Sequence, residues 1–269
     1  EAAEQVCGAD LDTLQSLIEK SLIQFRHERY WMLETIREYA AEQLGRLSEQ
    51  EALKLRHAEF VRGWADQARV GLKSDDTRWL SEFEREQGNV RAALGALADL
   101  DRTESLLALV GRLGNFWEIR GEWREGREWI EAAIERSRGS RSADRATALG
   151  FATTYARHAG DRDAARRFGE ESLSIYRELD DAQRCIWMLT QLYTVASEAG
   201  DDDYARLWLD EAADLAERIG DEWSVALCNG CLADLALRQG ENERAMELAQ
   251  AAGWHEIVDF LQTVEQASQ

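Results

Sequence analysis

A glycine followed by an acid recurs along this chain at a nearly constant interval: Gly121-Glu122, Gly160-Asp161, Gly200-Asp201 and Gly240-Glu241, spaced by 39, 40 and 40 residues. The flanking positions repeat in register. Five residues after each glycine stands a small residue (Gly126, Ala165, Ala205, Ala245), and eight after it a large apolar one (Trp129, Phe168, Trp208, Leu248). Twelve after it the small residue returns as Ala133, Ser172, Ala212 and Ala252. Such a period, with helix-type apolar spacing on both sides of a two-residue break, specifies stacked helical hairpins, each burying its apolar face against the next. Glycine accepts the left-handed backbone of the turn, the small residues admit close helix approach, and the acid is placed to cap the following helix. The absence of proline, with 45% hydrophobic and 31% charged residues, suits long amphipathic helices. The reading is an all-α chain, a right-handed α-solenoid.

A glycine closing the first helix, alanine five residues on, a large apolar residue in the second helix and a further small residue twelve on resemble the tetratricopeptide repeat. That unit usually has about 34 residues, so a period near 40 implies roughly one and a half extra helical turns per hairpin. The proline that often ends the family's unit is missing here. The breaks predict helix pairs at 103–120 with 123–137, 143–159 with 162–179, 183–199 with 202–219, and 223–239 with 242–252. A terminal amphipathic helix over 254–264 is expected to close the stack through Ile257, Val258, Phe260 and Leu261.

Residues 1–50 differ in kind. Leu11, Leu14, Leu17, Ile18 and Leu22 recur at helical spacing, then Ile23 to Arg26 and Tyr30 to Leu33 read as two short strands around the polar turn His27-Glu28-Arg29. This helix, hairpin and helix, with Arg29-Tyr30-Trp31-Met32-Leu33-Glu34-Thr35-Ile36-Arg37-Glu38-Tyr39-Ala40, resembles the winged-helix segment of bacterial signal-transduction ATPases of the STAND class. Large ATP-binding LuxR-type and antibiotic-regulatory activators belong to that class. The likeness continues through Arg56-His57-Ala58 and from Trp79 to Leu94. It implies a partial winged-helix segment at 1–50, a helical linker and capping hairpin at 51–102, and a repeat domain with a C-terminal capping helix at 103–269. In 51–71, Leu53, Leu55, Phe60, Trp64 and Ala68 are expected on the apolar face, joined by Leu72 just beyond. Gly88 stands where that family has a helix former, a local weakness of about 1 kcal/mol.

Several chemistries lack their residues. No G-x-x-x-x-G-K-[ST] loop occurs, so ATP is expected only in an upstream module and no cofactor in this chain. Neither a G-x-S-x-G elbow, an H-E-x-x-H pair nor a dinucleotide loop is present, and His27, His57, His158 and His255 are too dispersed to suggest a metal site. We expect no enzyme, no catalytic residue and no metal. Cys228 and Cys231 lie a turn apart inside a predicted helix, without the strand before or the second ligand pair that redox or zinc chemistry needs, and are expected to pack as small apolar residues. The net charge is −20, with 24 acids against 9 arginines in residues 161–269 and 28 acids against 23 bases before them. That balance repels phosphate backbones and argues against direct nucleic-acid binding. No apolar run approaches a membrane span and no signal peptide is visible, so a cytoplasmic location is expected.

Carried over position by position, the tetratricopeptide pattern places the groove-facing side of each first helix thirteen, ten, six, three and two residues before its glycine. In the first unit that face holds Asn115 and Glu118, in the second Thr154, Arg157 and His158. The third holds Trp187, Thr190, Thr194 and Ser197, and the fourth Asp234 and Arg238. Trp187, Arg157 and Arg238 are the expected anchors, since aromatic and arginine side chains dominate binding hot spots. The STAND resemblance implies a sensor: a protein, peptide or small-molecule inducer in the groove, and intramolecular contact with an upstream ATPase module. A stand-alone adaptor gathering protein partners is the alternative.

Overall fold

The computed structural model describes residues 2–46, 49–71 and 76–254. The chain divides into two compact units, Glu1–Trp129 and Ile130–Gln269.

The first unit opens with α1 (Ala2–Cys7) and α2 (Leu11–Glu19), whose N-terminus Asp10 caps by accepting from the Thr13 amide at 2.8 Å. An antiparallel hairpin follows, β1 (Gln24–Arg26) with β2 (Arg29–Trp31), in the register Phe25↔Tyr30. The turn is two residues, not three: Arg29 pairs with Arg26, and His27 and Glu28 both take left-handed backbone, at φ 51° and 62°. Such a turn matches the strand twist but normally selects glycine or asparagine.

Then come α3 (Glu34–Gly45), α4 (Gln50–Gly71), α5 (Asp76–Asp99) and α6 (Thr103–Arg120). Helices α4 and α5 pair, and α6 packs on both. The buried ridge of α4 is Ala58, Val61, Ala65 and Ala68, displaced from the expected face. Phe60 and Trp64 are half-buried at its edge, because small residues let the partner helices approach closely and leave the large ones beside the contact. Leu72 lies outside the described residues. The core stacks Phe83 on Phe116, with ring centroids 4.9 Å apart, and sets Trp64 against both at 6.2 and 6.1 Å. Helix α5 runs unbroken through Gly88.

The second unit begins within α7 (Trp123–Arg136) and continues with α8 (Ala143–His158), α9 (Arg162–Glu178), α10 (Ala182–Ala199), α11 (Asp202–Ile219), α12 (Glu222–Arg238) and α13 (Asn242–Ala251). The sequence breaks fall within about a residue of these limits. Helices α8–α9, α10–α11 and α12–α13 form the hairpins, and α9–α10 and α11–α12 join them into a stack. The helix expected over 254–264 lies, beyond Trp254, outside the described residues.

The turn chemistry is explicit at Gly200, whose φ is 75°. Its amide donates to the Ser197 carbonyl and the Asp201 amide to the Ala196 carbonyl, so two otherwise orphaned acceptors are satisfied. Asp201 then caps α11 through the Tyr204 amide, as Asp161 caps α9 through Ala164. Glu241 does not cap: its longer side chain reaches Arg206 instead. The alternate breaks are capped too, by Ser142, Asp181 and Asp221. Each such cap contributes about 1 kcal/mol.

Across each turn the contact is alanine on alanine. Ala156 meets Ala164 and Ala165 beneath Phe168, Ala196 meets Ala205 beneath Trp208, and Ala236 meets Ala245. At these three turns, of Gly160, Gly200 and Gly240, an alanine stands four residues before the glycine as well as five after it, and the pair lets the two helices of a hairpin close.

Cys228 is fully buried in α12, and burial pushes its thiol up to about 11; Cys231 is raised for the same reason. All four cysteines are free. Both groups in α12 pack as small apolar residues. Iodoacetamide at neutral pH is therefore expected to alkylate exposed Cys7 and to reach Cys228 only after unfolding, as peptide mapping by mass spectrometry would show; native labelling of Cys228 would contradict this packing.

Candidate binding groove

In the second unit the first helices of the hairpins, α8, α10 and α12, carry the expected groove residues at fixed offsets. Helices α8 and α10 touch directly. Gly150 lies in the middle of α8, and Trp187 of α10 lies across it: a Cβ there would stand 2.4 Å from the Trp187 Cη2. Phe151 meets the same indole at 6.2 Å, and the Arg184 guanidinium sits 6.0 Å from its ring centre. Trp187 thus bridges two hairpins and keeps part of its ring exposed.

One turn further, Thr154 is buried and within 3.4 Å of the Gln191 amide oxygen. At the glycine end, Arg157 pairs with Glu198 at 2.5 Å and touches His158 at 3.1 Å. Arg162 donates to the Glu198 carbonyl at 3.0 Å. The next interface repeats the arrangement: Arg238 donates to the Ser197 hydroxyl at 3.1 Å and pairs with Asp202 and Asp234. In both cases the residue three before one glycine meets the residue two before the next.

Thr190 and Thr194, both half-buried, donate to carbonyls of their own helix, at 2.7 and 3.0 Å, which leaves each hydroxyl oxygen able to accept. His158, Asp234 and Arg238 are exposed. Asn115, exposed, and Glu118, half-buried, stand on α6 in the other unit. Sequence reading did not single out Gly150 or Gln191. Their offsets, ten and nine before the glycine, carry the signal only once it is known which turn of one helix faces which turn of the next.

The three expected anchors thus each also make a contact between hairpins. What the surface offers a ligand is a line of hydroxyl acceptors on α10, a partly exposed indole, and an acid and a guanidinium on α12. Among the described residues, no group of three His, Cys, Asp or Glu side chains is placed to hold a metal ion, and no helix is long and apolar enough to cross a membrane.

No family model matches the chain. Proteins of Mycobacterium bovis and Mycobacterium tuberculosis that carry the provisional name HTH-type transcriptional regulator are 29% identical over 228 residues, which is 80% of this chain and 25% of theirs. The chain spans about a quarter of the length of these curated relatives. BtubC (BKLC) from P. vanneervenii superposes with a TM-score of 0.61 at 17% identity, over 86% of this chain and 89% of its own. TPR-like repeats of a Podosopora anserina protein provisionally named a kinesin light chain give 0.59 at 17% identity, over 78% and 98%. A signal transduction ATPase with numerous domains carrying a tetratricopeptide repeat sensor, from Pyrococcus horikoshii, gives 0.53 at 14%, over 99% of this chain and 49% of its own. The fold is an all-α solenoid of tetratricopeptide-like hairpins.

Proposed function

We propose that the chain is the regulatory repeat region of a longer STAND-type signalling or transcription regulator. It binds a protein, peptide or small-molecule inducer along α8, α10 and α12 and catalyses nothing itself. The carrying observation is the pairing of two likenesses: 80% of the chain aligns with a quarter of named transcriptional regulators, and 99% of it superposes on half of an ATPase with a repeat sensor. In this reading residues 1–50 derive from a winged helix and contact an upstream ATPase module, which alone would hold ATP. The chain needs no metal, lies in the cytoplasm and makes no direct contact with nucleic acid, in keeping with its charge of −20.

Inducer binding must favour one of two states to act as a signal; a preference of about 100-fold supplies nearly 3 kcal/mol. A thermal-shift screen of peptides and metabolites tests the reading, with saturation at 100 times the dissociation constant stabilising the chain by about 2.7 kcal/mol. Thr194→Val and Asp234→Asn should weaken any such binder. A binder indifferent to both, or ATP turnover by the purified chain, would overturn the proposal. The adaptor reading draws support from BtubC and the kinesin light chain, which match over nearly their whole lengths. The reading frame upstream of Glu1 separates the two: a phosphate-binding loop there decides for the sensor.

A further inference from the structure

A second site, independent of the groove, lies in the first unit. A cavity of about 910 Å³ opens between the hairpin, α1, α4 and α5, within the size range of small-molecule sites. Its floor is one face of α4, where Phe60, Gly63, Trp64 and Gln67 follow at helical spacing. Tyr30 of β2 adds a third aromatic ring to the lining.

Gly63, like Gly88 and Gly95 of α5, has open space where a side chain would stand, and of the three it alone lines this cavity. A Cβ there would meet no atom within 4 Å, yet a glycine in mid-helix costs about 1 kcal/mol against alanine. What its missing side chain does leave is a flat bed between two aromatic residues. The hairpin turn that overhangs the cavity is strained in the same sense, with His27 and Glu28 both left-handed.

The charges around the cavity divide into satisfied and unsatisfied. Arg29 pairs with Glu86, which also accepts from Asn89 at 2.5 Å, and Glu59 pairs with Arg62. Two lining groups have no partner among the described residues: the Arg56 guanidinium on α4 and the Glu28 carboxylate at the turn. Arg56 stands two turns, roughly 10 Å, before Gly63 along the axis. Arg56 and Gly63 nonetheless line the same cavity. A ligand with one charge would satisfy one of these groups. A zwitterion satisfies both through charge-assisted hydrogen bonds, the strong kind.

We infer that this cavity binds a zwitterionic aromatic ligand of amino-acid size, its ring on Phe60 and Trp64 over Gly63, its carboxylate on Arg56 and its ammonium on Glu28. Calorimetric titration of the 269-residue chain with L-tryptophan, tryptophanamide, indole-3-propionate and maltose tests it. L-tryptophan is expected to bind at least about tenfold more tightly than the amide, which lacks the carboxylate, and the propionate, which lacks the ammonium. Arg56→Gln should abolish the preference over the amide, and Glu28→Gln the preference over the propionate. Neither side chain has an internal partner to lose, so thermal melts of both variants should coincide with the wild type and separate binding from folding. Absence of heat with all four probes, tighter binding of the neutral disaccharide, or tryptophan affinity unchanged in both variants would overturn the assignment.

Discussion

Replacing Arg145 with alanine is expected to destabilise the second unit by about 3 kcal/mol, the sum of two lost buried hydrogen bonds, one lost charge pair and the packing of the stem. Arg145 is buried on α8, 4% exposed, and its guanidinium donates at 2.6 Å to both the Ile134 carbonyl and the Ser137 hydroxyl and at 2.7 Å to Glu171. One planar group thereby ties the end of α7 to α8 and α9. A calorimetric melt should fall by roughly 6–12 °C, on the scale of 2–4 °C per kcal/mol for a domain of this size. Arg145→Lys should recover little, since a single ammonium cannot meet three acceptors arranged for a fork. Glu171→Gln should cost much less, because its side chain is 42% exposed and water replaces the lost pairing. A melt within 2 °C of wild type for Arg145→Ala would show that the tie is not a source of stability.

The second large effect changes sign with its background. Gly150→Ala places a methyl 2.4 and 2.5 Å from two Trp187 ring carbons and should cost about 1–3 kcal/mol, either by forcing the indole out or by parting α8 from α10. With Trp187→Ala already made, the same change meets only ordinary contact with Met188 at 3.6 Å and gains about 1 kcal/mol of helix propensity. The double-mutant cycle should therefore return a coupling of about 2–4 kcal/mol, with tryptophan fluorescence shifting red in Gly150→Ala alone. Additive effects would mean that the two residues do not share a contact.

These residues also mark how far the sequence could be read. The glycine-acid period located the turn inside each hairpin of the second unit because one backbone conformation, left-handed glycine, is dictated locally and leaves its signature in a single position. Helix limits followed from the same breaks. The interfaces between hairpins are another matter: periodicity shows which face of α8 or α10 points to a neighbour, but not which turn meets which. Trp187, Arg157 and Arg238 therefore read as groove anchors, and the contacts each also makes between hairpins were not legible. On α4 the large side chains Phe60 and Trp64 drew the apolar face to themselves, although Ala58, Val61 and Ala65 make the close contact. In the hairpin, a turn of His27 and Glu28 was obscured because neither is a residue that such a turn prefers.

The ties at the glycine ends have a meaning for assembly order. Hairpins this alike could stack out of order, since the Ala156 and Ala196 contacts are of one kind. Skipping the middle hairpin, however, would set Arg157 opposite Arg238, two positive charges where Glu198 and Ser197 now complement them, and would give Gly150 a leucine, Leu227, in place of the indole fitted to it. The alanine contacts are interchangeable; the charges and the Trp187 ring act as addresses, letting a chain built from copies recognise its own order as it folds.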